Sequence, residues 1–172
     1  MLITITGTES TGKTTLALQL AEHYNTVLVP DISRDYIDVT GPSYTREDVL
    51  AIADKIIDSE NEAFGLENRL LISDNCLVNI KIWMQYYNWE IPAWLNHALN
   101  ERKSNLYLLC DIDLDWVKDE QRKNPHDREE LYHRFMNEMA GLQLNYHIIS
   151  GKGKERFNAA CRLIDALLQQ SR

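Results

Sequence analysis

Residues 7–15 read GTESTGKTT and follow directly on the β-branched run LITIT at 2–6. The spacing Gly7-x4-Gly12-Lys13-Thr14 is that of a P-loop, set as it must be between a strand and a helix. Its glycines let the backbone curl so that successive N–H groups face phosphate oxygens, and the following helix adds its positive end. Gly7, Thr8, Glu9, Ser10, Thr11, Gly12, Lys13, Thr14 and Thr15 therefore form the candidate nucleotide-binding loop. Lys13 offers a mobile charge to the outer phosphates, and the Thr14 hydroxyl is placed to ligate Mg²⁺.

Strands and helices alternate along the rest of the chain. TVLV (26–29), LLIS (70–73), LYLLC (106–110) and HIIS (147–150) read as four further strands. Between them, helical spacing appears after the loop (Leu16, Leu20, Tyr24) and from Thr45 to about Phe64, where Val49, Ile52, Ile56 and Ala63 share a face with charges elsewhere. The start TRED fits a capping box with Thr45 as cap and Asp48 standing in for glutamate. A helix-rich stretch reaches Asn100 with a break near Ile91-Pro92. Helical patterns then cover 114–123 and 128–142 around Asn124-Pro125, and Phe157, Cys161, Ile164 and Leu168 mark a closing helix. Such alternation predicts an α/β fold, a parallel sheet with helices on both faces, whose ligands sit beyond the carboxyl ends of the strands. No repeat or linker divides the 172 residues, so residues 1–172 are expected to form one domain.

Composition narrows the partners. A net charge of −8 argues against nucleic acid, which selects basic surfaces. No apolar stretch approaches the roughly 20 residues of a membrane span, and Met1 leads straight into a strand, so neither membrane nor signal peptide is expected and the location expected is cytoplasmic. Cys76, Cys110 and Cys161, without CxxC spacing, read as reduced thiols in apolar surroundings.

Three further groups could act on a bound phosphate. Asp74, directly after LLIS, stands where a second Mg²⁺ partner belongs, a position that equally suits a helix cap. PDISRDYI (30–37) brings Asp31, Arg34 and Asp35 beyond the second strand, where a carboxylate could orient an acceptor hydroxyl and take its proton and an arginine could hold substrate; a solvated loop with an internal ion pair is the plainer alternative. The charged segment 115–130, bearing Asp119, Arg122 and Arg128, has the composition of a lid that closes over phosphates, or of an ordinary solvated face. Trp83, Tyr86, Tyr87, Trp89 and Trp94 cluster at spacings that suit core or a homodimer patch better than an aromatic clamp.

Taken together, GTESTGKTTL, NTVLVPDISRDYI, LLISDN, LYLLCDIDLDWVKDEQR and NYHIISG resemble the ribosylnicotinamide (nicotinamide riboside) kinase domain of the NadR type, among the P-loop kinases and AAA-like ATPases. The resemblance covers nearly the whole chain. It implies a three-layer, doubly wound P-loop NTPase fold with a five-stranded parallel sheet of order 2-3-1-4-5. It also implies ATP- and Mg²⁺-dependent phosphorylation of the ribose 5′-hydroxyl of nicotinamide riboside, in the synthesis of NAD. By resemblance Asp31 or Asp35 contacts or deprotonates the ribose, Lys13 serves the phosphates, Asp74 the metal, and Arg122 acts from the lid. The chain departs from the family at Asn75, Cys76, Asn79 and Ile80, where an acid and paired threonines are usual.

The leading expectation is thus a small-molecule kinase whose acceptor is nicotinamide riboside or a related nucleoside. The competing class is a P-loop switch or regulatory ATPase that binds and slowly hydrolyses NTP. A switch could spare the carboxylates after the second strand and would need a partner surface that changes with the γ-phosphate.

Overall fold

Every residue of β1 (Leu2–Thr6) is buried, as a strand covered on both faces must be. In the computed structural model, which describes residues 1–40, 45–66, 70–117 and 126–170, it is the middle strand of a five-stranded sheet. The other strands are β2 (Val27–Val29), β3 (Leu71–Asp74), β4 (Leu106–Cys110) and β5 (Tyr146–Ile149). Their order is β2-β3-β1-β4-β5 and every pairing is parallel, the order the resemblance implied.

Alternation along β4 divides the core. Leu106, Leu108 and Cys110 join Ile3, Ile5, Leu16, Leu20, Ala160 and Ile164 beneath α1 (Lys13–His23) and α7 (Lys154–Gln170). Tyr107 and Leu109 face the opposite layer with Ile52, Ile82, Leu95 and Phe135. That layer holds α3 (Arg46–Phe64), α4 (Leu77–Tyr86), α5 (Ala93–Glu101) and α6 (Arg128–Gly141). The capping box is present, with Thr45 and Asp48 satisfying each other's backbone N–H groups. It also sets the charge of Asp48, whose carboxyl is held below its ordinary range first by the Thr45 N–H.

Three local readings change. PDISRDYI is mostly helix, α2 (Ile32–Thr40); it starts there because Asp31 Oδ1 accepts the Ser33 N–H at 3.0 Å, a cap that the polar composition concealed. In the expected helix at 114–123, residues 114–117 are irregular and the remainder lies outside the described residues. Their backbone groups are claimed elsewhere: the Leu114 carbonyl by Arg128 at 2.8 Å and the Val117 N–H by Ser10 Oγ at 2.8 Å. On α3 the supposed charged face includes Glu60, only 4% exposed and 3.5 Å from Arg102 Nε.

Register aligns the strand ends. Ile5 lies beside Asp74 and Val29 beside Ser73, so the loops after β1, β2 and β3 leave from one edge of the sheet. Among the described residues no helix is long and apolar enough to cross a membrane. Cys76, Cys110 and Cys161 are free thiols, the first two buried.

Candidate active site

At that edge β1 turns into the P-loop. Gly7 has φ 134°, and a Cβ there would come 3.0 Å from the Cys110 carbonyl oxygen, so both its torsion and its contact with β4 require glycine. Gly12, at φ 76°, forms the N-terminus of α1, which no side chain caps. Anion binding exploits such helix starts, because the first N–H groups have no partner within the helix. The Thr11 hydroxyl donates to the Thr8 carbonyl at 2.8 Å, and Lys13 Nζ reaches across to the same oxygen at 2.8 Å.

The loop is braced from behind by Arg156, a residue the motif did not point to. It is 4% exposed; its guanidinium donates to the Thr11 carbonyl, to the Gly151 carbonyl at 2.9 Å and to the Asp113 carboxylate. The clue in the sequence was small: Arg156 falls in register with Ala160 and Ile164 on the buried face of α7. Arg128, expected in a lid, donates to the Ser10 carbonyl at 3.0 Å as well as to Leu114, with its guanidinium 6.0 Å from the Trp116 ring. It ties the segment after β4 to the phosphate loop. Asp119 and Arg122 lie outside the described residues.

Asp74 ends β3 at 1% exposure, and neither carboxylate oxygen has a hydrogen-bond partner among the described residues. Burial pushes its carboxyl above the ordinary range, opposed by the Thr14 hydroxyl and the Lys13 charge and reinforced by Asp31. A buried carboxylate beside a hydroxyl and an ammonium, its own oxygens unspent, suits a hard divalent cation that takes oxygen ligands. Thr14 and Asp74 therefore fit Mg²⁺. No group of three or more His, Cys, Asp or Glu among the described residues could hold a metal; two protein oxygens are what Mg²⁺ needs when phosphate and water supply the rest.

A cleft of about 210 Å³ opens from the P-loop and is lined by all of residues 7–15. Beyond the loop its polar wall is Asp31, Ser33, Arg34, Asn75 and Asn79, and its far wall is Ile37, Val49, Ile52, Ile80, Trp83, Leu131 and Phe135. Asp31 Oδ1 accepts from Asn75 Nδ2 at 2.8 Å as well as from Ser33 N. Of the three residues singled out after β2, Asp31 and Arg34 line the cleft. Asp35 is exposed on α2 and is not among the lining residues.

The aromatic cluster divides in the same way. Trp83 lines the cleft, Tyr87 and Trp89 stack with centroids 4.7 Å apart, Tyr86 donates to Asp127 at 2.6 Å, and Trp94 is exposed. Sequence spacing could not separate Trp83 from its neighbours, because its role depends on α6 bringing Phe135 to the same wall.

A family model described as an AAA domain matches residues 2–156, most of the chain. The chain belongs to that AAA domain family. Among solved structures this AAA domain is similar to a NadR protein in complex with NR, at 17% identity and TM-score 0.78, and to NadR in complex with NAD and AMP-PNP, at 18% and 0.72. Each likeness covers 92% of this chain but only 48% and 47% of those chains, so this chain spans about half the length of the NadR proteins. Deoxyadenosine kinase from M. mycoides is similar over 96% of this chain and 100% of its own, at 10% identity and TM-score 0.68. Thymidylate kinase from Ehrlichia chaffeensis matches over 97% and 98%, at 17% identity and TM-score 0.64. At such identities the likeness is one of fold. No curated protein matches by sequence.

Proposed function

We propose that residues 1–172 form a single kinase domain that transfers the γ-phosphoryl group of ATP to the ribose 5′-hydroxyl of nicotinamide riboside or a related nucleoside. The observation that carries this reading is the cleft, which joins the phosphate loop to an apolar wall and has Asp31 among its lining residues. A switch or simple ATPase needs the loop but has no use for an apolar-walled cleft beside it. The NadR, deoxyadenosine kinase and thymidylate kinase likenesses lend support at the level of fold.

In this reading the P-loop amides, the α1 N-terminus and Lys13 hold the phosphates, and the apolar wall receives the base, with Trp83 and Phe135 offering aromatic surface. Bound between Thr14 and Asp74, Mg²⁺ would neutralise charge on the β- and γ-phosphate oxygens. Asp31 accepts the hydrogen bond of the acceptor hydroxyl and takes its proton as the oxygen attacks the γ-phosphorus. The bond to the bridging oxygen of ADP breaks, and the electron pair leaves with ADP.

Asp31→Asn tests the reading, since it keeps the shape of the cap on α2 and removes the base. The expected result is a kcat for riboside phosphorylation lowered by about a hundredfold or more, with the KM for ATP nearly unchanged. Normal turnover in steady-state kinetics would show that Asp31 is not the acceptor's base.

A further inference from the structure

Asn75 stands where the resembling family usually has no asparagine, and it is bonded on every side. It is 6% exposed and has φ 133°, a torsion that side chains other than glycine rarely adopt. Its Oδ1 accepts the Cys76 N–H at 2.7 Å. Its Nδ2 donates to Asp31 Oδ1 at 2.8 Å and to Ser33 Oγ at 2.9 Å. One amide thereby fastens the end of β3 to the start of α2 across the mouth of the cleft. With the Ser33 N–H also on Oδ1, two donors fix one oxygen of the Asp31 carboxylate. Both of these bonds fall on Oδ1, and Asp31 lines the cleft.

We propose that Asn75 is the positioning residue for phosphoryl acceptance. By holding Asp31 Oδ1 it commits Oδ2 to the acceptor hydroxyl, and by holding Ser33 it fixes the first turn of α2 along the same wall. The inference rests on the acceptor-site reading above. An amide here orients the neighbouring carboxylate, where a carboxylate would repel it. A strained backbone torsion kept at a buried, fully bonded residue is the kind of feature that gathers at functional sites.

The test uses Asn75→Gly, because glycine accepts the positive φ and removes only the side chain, and Asn75→Asp, which keeps an acceptor for the Cys76 N–H but loses both donors. Each is made alone and with Asp31→Asn, and kcat, the KM of acceptor and ATP, and the melting temperature are measured. Both single variants are expected to lower the acceptor-dependent kcat by about tenfold to a hundredfold, the scale of one hydrogen bond to a charged group. The KM for ATP should stay within about twofold, and in the Asp31→Asn background neither should cause a further loss. Wild-type kcat in Asn75→Gly would overturn the inference while leaving the kinase reading intact, as would losses that simply add to that of Asp31→Asn. A wild-type protein that phosphorylates no riboside would overturn the kinase reading itself, and the inference with it.

Discussion

Lys13→Ala is expected to weaken ATP binding by about a hundredfold and to reduce phosphoryl transfer to the detection limit, without unfolding the protein. The ammonium is the one side-chain cation of the P-loop itself, and it lies over that loop on the Thr8 carbonyl at 2.8 Å. Its bond there is local and made to a backbone oxygen that the Thr11 hydroxyl also engages, so truncation leaves the loop's own geometry in place. What disappears is a charge placed beside groups carrying several negative charges, in a partly enclosed cleft where water screens them less than in bulk. Titration with a fluorescent ATP analogue, alongside a thermal melt, measures both halves of this expectation. Unchanged affinity would refute the phosphate-loop assignment.

Asp74→Asn should separate stability from activity. Its carboxylate is buried without a hydrogen-bond partner among the described residues, an arrangement that costs folding free energy unless a cation joins it. The isosteric amide removes that charge. We therefore expect the nucleotide-free variant to melt higher by about 2–4 °C, the equivalent of about 1 kcal/mol in a chain of this size. Transfer should meanwhile fall by about a thousandfold, because the Mg²⁺ position loses its charged ligand. The sign of the pH dependence follows from the same burial. With its carboxyl raised above the unfolded value, Asp74 favours the fold when protonated, and that contribution is lost as pH rises through the raised value. Asp74→Asn should flatten the stability profile above the ordinary carboxylate range, where that loss occurs. A lower melting temperature together with unchanged magnesium dependence would remove Asp74 from the metal site.

The parts of this protein that were legible from sequence are those governed by local chemistry. GTESTGKTT declares itself because a positive φ of 134° at Gly7, combined with a Cβ that would sit 3.0 Å from the Cys110 carbonyl oxygen, calls for glycine. The capping box at Thr45 and Asp48 is written within four residues. The buried strands announce themselves as continuous apolar runs, as parallel strands covered on both faces do. The strand-end rule points to the edge where Asp31 and Arg34 line the cleft. What stayed hidden depends on partners distant in sequence. Arg156 reads as an ordinary helical arginine until the fold brings it to the Thr11 carbonyl, 145 residues away. Asn75 reads as one departure from the family among several until α2 places Asp31 and Ser33 beside its amide. Of the helical pattern begun at Leu114, residues 114–117 are irregular, with the Leu114 carbonyl held by Arg128 and the Val117 N–H by Ser10. Local periodicity carries no record of such competition.

The central claim, that the P-loop nucleotide and the adjoining cleft together phosphorylate a riboside, is tested most directly by ADP production from Mg-ATP. It should be measured with and without a panel of ribosides, beginning with nicotinamide riboside, and the products examined by mass spectrometry. The account predicts strong stimulation by at least one riboside and recovery of its 5′-monophosphate. Slow hydrolysis indifferent to every riboside would contradict it and favour a nucleotide-dependent switch.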